Sequence, residues 1–87
     1  MNPTLMDLLR KMLHNRIIGE KHSPEQLLIK SKIKHLNKNE QKEFYEEYEI
    51  MVQKQYFIRL KKRTGKGSDW HVSLNPEKIS ELEEEIR

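Results

Sequence analysis

Two groups of basic side chains have the type and spacing to do chemistry. Lys30, Lys34 and Lys38 form one; Arg59, Lys61, Lys62, Arg63 and Lys66 form the other. Long cations on a positioned backbone neutralise phosphate oxygens, so the chemistry they suggest is the binding of a polyanion. A solvated surface explains the same residues differently, since edge strands carry lysine to resist aggregation. Other chemistries lack their parts. The chain has no cysteine, and His14, His22, His35 and His71 have no metal-ligand spacing, so structural or surface roles are expected and a metal is not. Gly65-Lys66-Gly67-Ser68 lacks the G-x-x-x-x-G-K-[ST] spacing of a phosphate loop and does not precede a helix. No nucleophile–base pair or carboxylate dyad stands out, so neither catalysis nor a cofactor is expected.

The denser basic group lies on residues 57–76, FIRLKKRTGKGSDWHVSLNP. Ile58 and Leu60 alternate with Arg59, Lys61 and Arg63; Trp70, Val72 and Leu74 alternate with His71 and Ser73. Strand side chains have a period of two, so the pattern predicts a hairpin with one apolar and one basic face. Thr64 to Asp69, with two glycines, supplies the turn. Trp70, beside that turn, is expected to cover the edge of the core; stacking on a base is its other use.

Helices must position this ribbon. Leu5, Leu8, Leu9, Met12 and Leu13 make one stripe, predicting a helix from about Pro3 to His14 with Asn2 as cap. Arg16 to His22 breaks the period and predicts a short extended connection, pairing with the hairpin. Ser23-Pro24-Glu25-Gln26 is a helix start, with Ser23 as cap, Pro24 at the first helical position and Gln26 completing a capping box. That second helix should end near Leu36, with Leu28, Ile29, Ile33 and Leu36 inward and Lys30, Lys32 and Lys34 outward. Asn37 and Glu40 predict a capping box for a third helix. Its inner face is Phe44, Tyr48, Met51, Val52 and Gln55, and its outer face Lys42, Glu43, Glu46, Glu49, Ile50 and Gln53. Asn75-Pro76-Glu77 starts a last, acidic helix with a thin stripe of Ile79, Leu82 and Ile86, which needs a partner surface.

The 87 residues, 34% hydrophobic and 36% charged, fit a single domain, residues 1–87. No run is long enough to cross a membrane and the N-terminus lacks a signal-peptide pattern, so the cytoplasm is expected. Net charge is +3, but its sign alternates along the chain. Residues 1–38 carry eight Lys/Arg against three Asp/Glu, and residues 39–55 two against five. Residues 56–75 carry five against one, and residues 76–87 two against five.

Gly19-Glu20-Lys21-His22-Ser23-Pro24-Glu25 and His71-Val72-Ser73-Leu74-Asn75-Pro76 resemble motifs of a group of small, largely uncharacterised archaeal winged-helix proteins. The resemblance spans roughly residues 17–80. It implies an α+β winged helix-turn-helix fold, three helices plus a hairpin wing, here with a short C-terminal helix. It implies DNA binding as the usual activity of such domains. The chain departs from the pattern at its charged wing tip and its glutamate-rich third helix. Glu43, Glu46 and Glu49 facing phosphates would repel them, so helix 3 is expected to be solvated or to meet a protein partner around Ile50. The leading expectation is therefore a double-stranded-DNA-binding transcriptional regulator that uses wing and helix 2 cations. The rival is a protein-interaction module built on acidic helix 3 and the C-terminal helix. A homodimer through helix 1 and the last helix is also open.

Overall fold

A computed structural model describes residues 1–65 and 67–86, with side chains for all of these except Thr64 and Ser68. The fold is α+β, with four helices and a three-stranded antiparallel sheet. In chain order the elements are α1 (Pro3–His14), β1 (Ser23–Pro24), α2 (Glu25–Ile33), α3 (Lys38–Gln53), β2 (Phe57–Thr64), β3 (Gly67–Leu74), a 3₁₀ turn (Pro76–Lys78) and α4 (Ile79–Glu85). The strands lie in the order β1-β3-β2, so the hairpin's second strand is central.

α1 forms where its stripe predicts. Asn2 Oδ1 accepts from the Thr4 and Leu5 amides, and Leu5, Leu8, Leu9 and Met12 are buried. The Asn2 amide donates to the Glu47 carboxylate at 2.9 and 3.0 Å, which ties the start of α1 to α3. α3 opens with the expected Asn37–Glu40 capping box and buries Phe44, Tyr48 and Met51. Both helices end in the same reversal. The Ile17 amide donates to Met12 O and the Tyr56 amide to Met51 O, across Arg16 (φ 54°) and Gln55 (φ 66°). Each is a Schellman-type stop with a non-glycine residue in the left-handed position. Gln55 therefore points to solvent and does not join the inner face of α3.

Two helix boundaries differ from expectation. Ser23 and Pro24 pair with Val72 and His71 as β1, so α2 starts at Glu25 with no side-chain cap, and the predicted capping box does not form. α2 also stops at Ile33, where Gln41 Nε2 donates to the Ile33 and Leu36 carbonyls at 3.2 and 3.1 Å and satisfies that end. Lys34 is thus the C-cap of α2, and Lys38 is the first residue of α3.

The hairpin shows the largest correction. Phe57 pairs with Leu74, Arg59 with Val72 and Lys61 with Trp70, the ladder running to Thr64–Gly67. The strands thus extend into the predicted six-residue turn, leaving two residues between the last pair, an even number as in the predicted turn. Even spacing puts odd-numbered β2 residues on the face of even-numbered β3 residues. The inner face is therefore Phe57, Arg59, Lys61, Val72 and Leu74, while Ile58 and Leu60 share the other face with His71 and Ser73. Ile58 is exposed and Phe57 is buried. Gly67 takes φ 137°, a backbone region that favours glycine.

Asn75 caps the closing segment by accepting from the Glu77 amide. Its first turn is 3₁₀ before α4 begins. Leu82 and Ile86 join the same core as α1, and Arg10 Nη2 donates to Ile86 O at 2.9 Å. The partner surface of the last helix is therefore its own chain. Of the apolar stripes of α1 and α4, Leu5, Leu8, Leu9, Met12, Leu82 and Ile86 are buried in that core and Leu13 and Ile79 pack against it.

Candidate functional site

The two stretches carrying the family resemblance lie against each other. The Gly19 amide donates to Leu74 O at 2.9 Å, and Ser73 Oγ donates to Gly19 O at 2.7 Å. Gly19 has φ 62°, and a Cβ there would lie 3.3 Å from Pro76 Cγ, so the conformation and the close approach both favour glycine. His22 and His71 bring Nδ1 atoms within 2.9 Å with rings edge-to-face, so one ring donates and the other accepts. These contacts clasp the α1–α2 connection to the central strand. The motifs are explained by packing, and the four histidines supply no cation cluster. Among the described residues, no three His, Asp or Glu side chains converge as a metal site would need.

The inward Arg59 explains a second feature that the sequence hides. Glu25, at the start of α2, is only 3% exposed. Arg59 Nη2 donates to its Oε1 at 2.9 Å, and Arg59 Nε lies 2.7 Å from Oε2, off the hydrogen-bonding line. Tyr48 of α3 donates its hydroxyl to Oε2 at 2.6 Å. Burial, then the Glu25 hydrogen bond, push the Tyr48 hydroxyl far above the ordinary tyrosine range. The Glu25 hydrogen bond likewise raises Arg59. One carboxylate thus joins α2, α3 and β2. Arg59 was a candidate phosphate ligand; its charge is instead balanced inside the fold. The clue was available: Glu25, Leu28, Ile29 and Ile33 fall on one helical stripe, placing Glu25 on the buried face.

Toward the tip of the same strand the environment changes. Lys61, Lys62 and Arg63 are exposed, as are Lys30, Lys34 and Lys38. Among the described residues, the only Lys and Arg side chains in ion pairs are Arg10, Arg59 and Lys78. Lys61 and Arg63 share the inner-face direction of β2, and Lys62 points the other way, opposite Asp69. Lys66, also a candidate, lies outside the described residues.

Trp70 is 44% exposed and does not cover the core as expected. The Arg59 guanidinium carbon sits 4.5 Å from its ring centroid and Lys61 Nζ 5.9 Å. A cleft of about 410 Å³ runs beside it, lined by Pro24, Gln26, Leu27, Asp69 and Trp70. A second, shallow groove of about 620 Å³ lies on the outer face of α3, with Tyr45 and Ile50 between Lys42, Glu46, Glu49 and Gln53. No helix among the described residues is long and apolar enough to cross a membrane.

Comparison with protein-family models, with curated proteins and with solved structures finds no match to this chain.

Proposed function

We propose that this chain is a winged helix-turn-helix protein that binds double-stranded DNA, a transcriptional regulator akin to the small archaeal proteins its motifs resemble. In this reading α2 and α3 are the helix-turn-helix and β2–β3 is the wing, a role the strand order β1-β3-β2 fits. The observation that carries it is the set Lys61, Lys62 and Arg63, exposed on a paired ribbon with no ion-pair partner among the described residues. A ribbon lying along a duplex brings such cations to phosphates without needing to read bases. Lys30 and Lys34 add to the positive surface, and Lys38 sits at the head of α3. The outer face of α3 does not enter the groove as a standard recognition helix would, because Glu43, Glu46 and Glu49 oppose phosphate.

The experiment is fluorescence anisotropy of a labelled random-sequence duplex at several salt concentrations. Wild-type affinity should fall steeply with salt, and Lys61→Glu with Arg63→Glu should abolish binding. Salt-insensitive binding, or binding that survives the charge reversal, would remove the wing from this account.

One observation favours a second reading, a protein-interaction module. Ile50 is 47% exposed and lines the α3 groove with Glu46 and Glu49, carboxylates suited to a basic, apolar segment of a partner. In that case Ile50→Glu would break the partner complex, and the wing reversal would leave it intact.

A further inference from the structure

Trp70 is placed where neither the core nor duplex phosphate binding uses it. It is the sole tryptophan of the chain, sits directly across from Lys61 on the central strand, and leaves much of its ring in solvent. Because β3 lies between β2 and β1, the ring is bounded on the β2 side by Arg59 and Lys61. On the side of β1 and the start of α2 lies the cleft of Pro24, Gln26 and Leu27. Leu27, 69% exposed on the first turn of α2, gives the cleft an apolar wall. Arg59 is held by Glu25 and lies over the indole ring, so it is paired inside the fold instead of competing for phosphate.

We infer that this cleft is a stacking site for an unpaired nucleobase. The inference rests on the nucleic-acid-binding reading and adds its substrate class: duplex DNA carrying an unstacked base, as at a single-stranded overhang. An exposed indole face offers a base the stacking that every base can use, and a base inside a duplex has no free face to give. The cleft volume falls within the range of small-ligand sites, about 300–1,000 Å³, which leaves room for one base. Its polar groups suit a base edge: the Gln26 amide both donates and accepts, and Asp69 accepts from an exocyclic amine. Asp69 also repels phosphate, so the strand's backbone must run on the β2 side. There Lys61 and Arg63, two residues apart on one strand, stand roughly 6.7 Å from each other along the chain.

Because Trp70 is the only tryptophan, its emission reports on this cleft directly. The full chain is titrated with two labelled duplexes of the same sequence, one blunt and one with a short oligo-dT overhang, reading anisotropy and tryptophan emission together. The overhang duplex should bind about tenfold tighter, within the range that one stacked base contributes, and should quench the emission. Trp70→Ala should remove that preference and leave blunt-duplex affinity unchanged, while Trp70→Phe should keep part of it. Equal affinity for both duplexes with unquenched emission would overturn the stacking site and leave duplex binding standing. An overhang preference that survives in Trp70→Ala would overturn it too. No binding to either duplex at low salt would overturn the nucleic-acid reading itself, and the stacking site with it.

Discussion

Arg59 and Arg63 stand four residues apart on the same face of the same strand, yet they live in different chemistries. Arg59 is held against a buried carboxylate that is also hydrogen-bonded by Tyr48. Arg63 extends from the end of the ribbon into solvent. One cation is part of what holds three elements together; the other is available to a ligand. The difference is set by where each pair falls along the ladder: Arg59 lies opposite Val72, beside the core, and Arg63 opposite Ser68, near the tip. A run of basic residues thus contains both a half-buried, paired member and exposed ones, and its composition does not separate them.

The sharpest way to break this contrast is through stability. Arg59→Met leaves the Glu25 carboxylate buried and unpaired, and should cost about 3 kcal/mol, the low end for breaking a buried pair because the Arg59 side chain is 27% exposed. Lys61→Met with Arg63→Met should change stability by less than about 0.5 kcal/mol, as surface changes do. Urea denaturation of both variants measures the difference. Equal losses would erase the distinction between base and tip.

A smaller effect sharpens the same point from the carboxylate side. Glu25→Gln should cost less than Arg59→Met, about 1–2 kcal/mol, because the amide still accepts from Tyr48 and Arg59 can turn to solvent. The reverse order would mean that Arg59, not Glu25, is the group trapped without water.

Tyr48 supplies a pH signature. Its hydroxyl is raised above the ordinary value of 10.0, so the fold favours the neutral phenol. That contribution is fully present below pH 10.0 and is lost at higher pH, where the unfolded chain ionises and the folded chain resists. Alkaline denaturation should therefore be shallower in Tyr48→Phe than in wild type, at an overall cost near 1.5 kcal/mol for the lost hydrogen bond to a charged group.

The smallest predicted effect is at the α3 groove. Tyr45→Ser with Ile50→Ser should leave duplex affinity within about twofold of wild type, since neither residue meets phosphate in this account. A large loss, measured by anisotropy, would return α3 to the role of recognition helix.

Much of the fold was legible in the sequence, and the misses share a cause. The α1 stripe, the Asn37–Glu40 box and the Asn75-Pro76 start are local signals, and local geometry satisfies them. The hairpin's facing was not local. Ile58 and Leu60 are more apolar than Arg59 and Lys61, but an even-numbered turn, expected or observed, sets them on the face of Ser73 and His71, and the burial of Phe57 opposite Leu74 decides which face is inner. Ser23-Pro24 reads as a helix cap until β3 claims it as a strand partner. Of the candidate site, Lys61, Lys62 and Arg63 are exposed, but Lys61 and Arg63 share the direction of the inner face and not of the expected outer one, and the capture of Arg59 depends on α2 and β2 meeting at Glu25. Trp70 misled for a related reason: a large apolar residue beside a turn reaches the core only if the strand ends there, and β3 runs on to Gly67.

The most direct test of the central claim is the salt dependence of duplex binding in Lys61→Ala/Lys62→Ala/Arg63→Ala beside wild type. Each phosphate contact contributes about 0.9 to the slope of log affinity against log salt, so losing three should flatten it by roughly 2.7. A variant that keeps the wild-type slope, or a wild type that shows no binding at low salt, would contradict the assignment of the wing as the DNA-contacting element.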